Sequence, residues 1–229
     1  MVTVKLSYPS PERNKGPILD VLRRVLPARG TVLEIASGSG QHAVFFSEHL
    51  PGIIWLPTDI AAERLESIQA WREDSSQSNI LEPRRIDVLD DDWGIGTVEV
   101  VFSANLVHIT PWECCLGLVE GARRHVKPGG LMIFYGPFRV GGKHTAPSNA
   151  DFDESLRQRD PEWGVRNLET DHWYHVAFRY DTGINEQSIY INGVRDNVRT
   201  APSDFVGTGT VNIGRWASGR EFDGTMDEV

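Results

Sequence analysis

An apolar run that ends in small residues and restarts as a helix constrains this chain more than any other feature. Val32-Leu33-Glu34-Ile35-Ala36-Ser37-Gly38-Ser39-Gly40-Gln41-His42 reads as a buried strand, a small-residue loop and the start of a helix that reaches Leu50, where Pro51-Gly52 stops it. Glycine permits positive φ and lets backbone amides approach a ligand without a Cβ clash. The free N–H groups of the helix start point at the same spot. A lone Gly-x-Gly is weak, because strand-to-helix turns often use glycine for packing alone. Here acids accompany it. Glu34 precedes the loop, Asp59 follows the second strand about twenty residues after Gly38, and Asp87 ends the third. A carboxylate after the second strand can accept both hydroxyls of a ribose, and Asp87 falls near where an adenine amine would lie. Taken singly, each acid is equally a cap or a solvated loop residue. The ordered set, at the carboxyl ends of consecutive strands, points to a nucleoside-like ligand.

The rest of the first part alternates strands and helices. Asn14 reads as the cap of a helix with Pro17 in its first turn and Ile18, Leu19, Leu22, Val25 and Leu26 on one face. Ile53–Leu56, Arg85–Val88, Val98–Ser103 and Leu131–Tyr135 are further short apolar strands, and Ala61–Glu73 is a helix. Thr110-Pro111-Trp112-Glu113 has capping-box spacing before a helix running towards Val126, and Pro128-Gly129-Gly130 turns the chain into the fifth strand. This β-then-α repetition predicts a doubly wound α/β fold, a Rossmann-like parallel sheet covered by helices on both faces.

Near Glu169 the building material changes. Residues 1–169 hold sixteen leucines, four lysines and the adjacent Cys114 and Cys115, whereas residues 170–229 hold no leucine, lysine or cysteine. The tail is rich in strand and turn formers. Trp173–Tyr180, Gln187–Ile191, Val194–Val198 and Thr210–Ile213 are strand candidates, and Asn192-Gly193 is a strong two-residue hairpin signal. Two domains follow, 1–169 and 170–229, the second antiparallel.

The first domain resembles a class I S-adenosylmethionine-dependent methyltransferase, in which a glycine loop follows the first strand and acids end strands one to three. More narrowly, residues from about Pro11 to Glu169 resemble a small, poorly characterised methyltransferase-like family of bacteria and eukaryotes. The stretches that carry this are Glu12-Arg13-Asn14-Lys15, Leu33–His42, Asn105–Trp112, Tyr135–Phe138 and His144-Thr145-Ala146-Pro147-Ser148-Asn149. Members of that family continue beyond Glu169 with another helix and two closing strands, and this chain departs there, so the expected sheet is C-terminally truncated. The tail resembles part of a laminin-G-like, concanavalin-type β-sandwich through Trp173–Phe178, Ile189–Gly193, Ile213–Trp216 and Phe222–Val229. The simplest account is a fusion of two incomplete domains.

The resemblance implies S-adenosyl-L-methionine as cofactor and a small-molecule methyl acceptor. Glu34, Ala36, Gly38, Gly40, Asp59, Asp87 and Asn105 are the expected cofactor residues, with Arg13 and Asn14 folding over the cofactor carboxylate. His108 and Tyr135 fall where the acceptor would lie. His108 is either a general base, since imidazole titrates near neutrality, or a histidine packed under the following helix. Tyr135 either binds substrate or fills the rim. His144, Ser148 and Asn149 form a polar loop that reads as a substrate lid, with helix capping by Ser148 as the other reading.

Several classes are excluded. The third position after Gly40 is Ala43, which weakens a dinucleotide site without excluding it, and no Gly-Lys-Ser/Thr follows, which excludes a triphosphate-binding P-loop. A net charge of −9 argues against a nucleic-acid partner. No apolar run approaches the ~20 residues that span a bilayer, and the start lacks a signal-peptide pattern. Two adjacent cysteines make neither a disulfide framework nor a zinc set. The expectation is a cytoplasmic protein without a metal or a membrane partner. A non-catalytic cofactor-binding remnant, or a carbohydrate-binding module in the tail, is the alternative to an enzyme.

Overall fold

The computed structural model describes residues 5–168 and, beyond them, the backbone of five strands at 176–181, 186–191, 194–200, 215–216 and 220–221. The chain divides into two compact units, Met1–Leu168 and Glu169–Val229.

In the first unit the order is α1 (Pro9–Val25), β1 (Gly30–Ile35), α2 (Gln41–His49), β2 (Ile53–Asp59), α3 (Ala62–Asp74), β3 (Arg84–Arg85) and β4 (Val98–Ala104). A 3₁₀ turn at Leu106–His108, α4 (Trp112–His125), β5 (Val126–Tyr135), β6 (Arg139–Val140), α5 (Pro147–Arg159) and β7 (Asn167–Leu168) follow. Strands β3-β2-β1-β4-β5 form one parallel sheet in that order, and β6 pairs with β7 separately. The chain winds outward from β1 to β3 and then crosses back to place β4 beside β1. That reversal opens a crevice at the carboxyl ends of β1 and β4, where such sheets take ligands.

Both faces of the sheet are covered, which is why its central strands are apolar without alternation. On one face Ile18, Leu19 and Leu22 of α1 and Phe46 of α2 pack on Val32, Trp55 and Phe102. Phe46, Trp55 and Phe102 are fully buried with ring centroids 5.3 to 6.0 Å apart, in the tilted and edge-on arrangements aromatic rings prefer. On the other face Leu118 and Ala122 of α4, with Trp93, cover Leu33, Ile35 and Val101.

Four local expectations are corrected. Helix α1 begins at Pro9, so Asn14 lies inside it and caps nothing; Pro9 at the start has no N–H to lose. Pro111 occupies the N-cap of α4, and the Thr110 hydroxyl donates back to Leu106 O at 2.8 Å, so no capping box forms. Strand β3 is only Arg84–Arg85, which leaves Asp87 two residues beyond it. Lys127–Gly130 belongs to β5, where Val126 pairs with Val98 and the register shifts before Leu131 pairs with Val100.

In the second unit β8 (Val176–Asp181), β9 (Glu186–Ile191) and β10 (Val194–Thr200) form an antiparallel sheet in the order β10-β9-β8. Ile191 opposite Val194 is the register of a two-residue hairpin; Asn192 and Gly193 lie outside the described residues, as does the expected strand Thr210–Ile213. Strands β11 (Arg215–Trp216) and β12 (Arg220–Glu221) pair antiparallel. The fold is thus a Rossmann-like parallel sheet followed by an antiparallel β segment. Among the described residues no helix is long and apolar enough to cross a membrane.

Candidate functional site

The loop after β1 is built to hold an unusual backbone. Ala36, Gly38 and Gly40 have φ of 59°, 61° and 96°, all left-handed. Glycine suits that region, whereas alanine carries a strain of about 1 kcal/mol or more there. At Gly40 a Cβ would also lie 2.9 Å from the Cα of Ile68 on α3, so close helix packing demands glycine. At Gly38 a Cβ would meet nothing within 4 Å, so this face of the loop is open to a ligand.

Hydrogen bonds fix the loop. Ser37 N donates to Thr58 O at 2.7 Å, and Thr58 N donates to Ser37 Oγ at 3.1 Å. The Ser67 hydroxyl on α3 donates to Ser39 O at 2.8 Å and accepts from Leu6 N. Gln41 joins the loop to the N-terminal segment: its Oε1 accepts from Tyr8 N and the Ser39 hydroxyl, and its Nε2 donates to Glu12 Oε1. Side chains thus cover the start of α2, which is where a pyrophosphate would sit in a dinucleotide site.

The acids have distinct surroundings. Glu34 is 1% exposed and accepts from Trp55 Nε1 at 2.8 Å; burial pushes its carboxyl up to about 7. Asp59, also 1% exposed, accepts from Gly38 N at 3.0 Å and Ala61 N at 3.1 Å, with Arg64 Nη1 at 3.7 Å. It therefore holds the glycine loop in place. A carboxylate has about four acceptor positions, so two remain beyond these amides. Asp87 is half-buried and accepts from Leu89 N at 3.0 Å, folding its own turn.

Helix α1 brings the N-terminal pair to this loop in part. Asn14 Oδ1 accepts from His42 Nε2 at 2.8 Å, whereas Arg13 stands exposed beside it. Asn105, in left-handed backbone at φ 65°, donates its N–H to Tyr135 O at 2.8 Å and ties the ends of β4 and β5 together. Tyr135 is half-buried against the aromatic core layer.

On the expected acceptor side, His108 is packed in the interior, as the second of its two readings has it. It is 0% exposed rather than open at a rim. Its Nδ1 accepts from Arg166 N at 3.2 Å, its ring stands edge-on to Phe138 at 4.6 Å, and its Nε2 faces Gly136. Burial first, then the Arg166 charge, pushes it down to about 4, so it is neutral near pH 7. Its Nε2 has no hydrogen-bond partner among the described residues. His144, Ser148 and Asn149 make separate contacts. His144 Nε2 turns to Asp153 Oδ2 at 3.3 Å, Asn149 Nδ2 donates to Thr145 Oγ1, and Ser148 is exposed in the first turn of α5, whose N-cap is Ala146.

Sequence reading missed His42, Gln41, Ser67, Asp153 and Arg166. Asp153 gathers Val165 N, Arg157 Nε and His144, while Arg166 donates to Val107 O and Thr110 O. Only Gln41 and His42 had a signal, as polar residues at the buried start of α2 directly after the loop. A separate cleft of about 620 Å³, lined by Thr31, Arg72, Ile80, Arg84 and Val98 among others, opens towards the amino-terminal ends of β1 and β4, away from this loop.

Solved structures share the fold. An O-methyltransferase family protein from Burkholderia thailandensis is similar with a TM-score of 0.56 at 19% identity, over 75% of this chain and 54% of that one. Human N-acetylserotonin methyltransferase in complex with SAM gives 0.56 at 15% identity, over 76% and 50%. CalO1, a methyltransferase in calicheamicin biosynthesis in its SAH-bound form, gives 0.54 at 18% identity, over 68% and 45%. The chain thus spans about half the length of each. The tail is similar to another family, the concanavalin A-like lectin/glucanases superfamily, whose profile matches residues 138–229 and so overlaps the first unit. With its loop, its strand order and a profile match over residues 5–173, the chain belongs to the family described as "Protein of unknown function (DUF938)".

Proposed function

We propose that residues 1–169 form a domain that binds S-adenosyl-L-methionine and transfers its methyl group to a small acceptor. The observation that carries this reading is the loop Ala36–Gly40: its open face at Gly38 lies beside two buried acids, at the switch point of a sheet shared with methyltransferases. The residues fit the cofactor. Asp59 shapes the loop and has acceptor positions left for ribose hydroxyls, and Glu34 lies buried at the end of β1 beside it. Asp87 and Asn105 flank the crevice from β3 and β4, and Arg13, exposed on α1, is free to pair with a carboxylate.

Bound S-adenosylmethionine supplies a methyl carbon activated by its positive sulfur. The chain's part is alignment of the acceptor and exclusion of water, because displacement at that carbon needs the reacting atoms in line. Tyr135, at the end of β5, is the remaining rim side chain for the acceptor. The buried His108 favours a second reading, a domain that binds the cofactor without turning it over. The tail, 170–229, is proposed as a partial sandwich that contacts carbohydrate.

Calorimetric titration tests the first reading. S-adenosylmethionine should bind and NADH should not compete; no heat with S-adenosylmethionine, or displacement by NADH, sinks it. Mass spectrometry of a metabolite pool after incubation then separates an enzyme from a binding remnant by a mass gain of one methyl group.

A further inference from the structure

We propose that Arg64 is a specificity-determining residue of this site: with Asp59 it clamps one ribose hydroxyl, Asp59 accepting from that hydroxyl and Arg64 donating to it. The inference rests on the loop Ala36–Gly40 being the cofactor site.

The turn from β2 into α3 brings the two side chains together. Asp59 ends β2; its Oδ1 accepts from Ala61 N at 3.1 Å and its Oδ2 from Gly38 N at 3.0 Å, which fixes the carboxylate. Arg64 lies in the first turn of α3, where its own N–H donates to Ala61 O at 3.1 Å. That turn carries the guanidinium back to Asp59, with Nη1 3.7 Å from Oδ1.

This separation exceeds the reach of an N–H···O hydrogen bond, so charge holds the pair together without a bond between them. A single oxygen about 2.8 Å from each atom closes the same span. Two amides occupy the carboxylate, and acceptor positions remain. Arg64 is the reverse case. Among the described residues Asp59 is the one acid within 4.0 Å of it, and its buried Nε has no partner. Its side chain is 38% exposed against 1% for Asp59, so the arginine is the accessible half, on a flexible stem that can admit a ligand atom and close on it.

The pair therefore presents unspent donors beside unspent acceptors. A guanidinium only donates and a carboxylate only accepts. An anionic ligand group is repelled by Asp59, and a cationic one by Arg64. A hydroxyl is neutral, gives one hydrogen and accepts others, and so satisfies both at once. Asp59 alone selects for a hydrogen to accept. Arg64 adds a demand on the same oxygen, which a deoxy carbon cannot meet.

The test is calorimetric titration of the full chain with S-adenosylhomocysteine and its 2′-deoxy and 3′-deoxy analogues, and with adenosine and its two deoxy forms as a second series. Arg64→Met keeps an unbranched stem and removes every donor. It should bind S-adenosylhomocysteine about tenfold more weakly than wild type. In wild type, one of the two deoxy analogues should bind about a hundredfold more weakly than the parent. In Arg64→Met the same deletion should cost about tenfold less, because half of the clamp is already gone. A residue that merely packs against the site weakens hydroxyl and deoxy ligands equally. Equal losses, or wild-type affinity in Arg64→Met, overturn the proposal. Where Arg64→Met does not fold, Arg64→Lys keeps the charge without the planar fork and should show the same coupling at smaller size; its absence there overturns the proposal too. A chain that takes no S-adenosylhomocysteine yet shows the coupling with adenosine sinks the proposed function and leaves the clamp standing. A chain that binds neither series overturns both.

Discussion

The carboxyl edge of the parallel sheet has two unlike halves. Around β1 and β2, polar side chains spend their hydrogen bonds on loop backbone: Asp59 on Gly38 and Ala61, Ser67 on Ser39, Ser37 on Thr58. The result is a rigid loop with one open face. Around β4 and β5, charged side chains serve one another and their own turns: Asp153 takes Arg157, His144 and Val165, and Arg166 takes the carbonyls of Val107 and Thr110. The first half is preorganised for a ligand, whereas the second pairs its charges internally and leaves His108 Nε2 and His144 Nδ1 buried without a partner among the described residues. Chemistry on an acceptor therefore cannot be assigned to the second half by residue type alone.

The largest effect that would break this contrast belongs to the loop. Gly40→Val should cost about 4 kcal/mol, combining left-handed strain with a clash against Ile68. Urea unfolding measures it; a loss under a third of that would mean α2 and α3 are not packed through this glycine. On the other side, His108→Ala should cost about 3 kcal/mol, through a cavity beside Phe138 and an unpartnered Arg166 amide. Cofactor affinity should hardly move. Loss of turnover without loss of stability would restore a chemical role for His108.

Asp59→Ala should cost about 2 kcal/mol of stability, because two amides lose a buried acceptor. It should also weaken S-adenosylmethionine binding by about 1–3 kcal/mol. Equal cofactor affinity in wild type and variant, by calorimetry, would remove Asp59 from the site. The smallest effect is expected at Ala36→Gly. Relief of left-handed strain should stabilise the chain by about 0.5–1 kcal/mol, partly offset by glycine's greater unfolded-state entropy. A lower melting temperature would contradict the strain.

Much of the first half was legible because its logic is local. A strand, a glycine loop and a helix are contiguous from Val32 to His42, and the acids sit at spacings that a parallel βαβ winding fixes. Asp87 was placed too close to its strand because β3 pairs only over Arg84–Arg85. Asn14 was read as a cap because helix starts are judged from nearby residues, while its actual partner, His42, is 28 positions away. The partners in the second half were not legible for the same reason. Arg166 lies 58 residues beyond His108, and no local pattern joins them.

The sequence by itself determined the alternation of strands and helices, the glycine loop, the antiparallel tail and the break in composition near Glu169. These depend on periodicity, turn chemistry and composition, which act over a few residues at a time. Only the tertiary structure decided which side chains lost their water. Glu34, His42 and His108 are all ordinary ionisable residues in the sequence, and burial moves the pKa of each away from its usual value. Desolvation is a property of the packed interior, set by every element around the group, and no spacing along the chain encodes it.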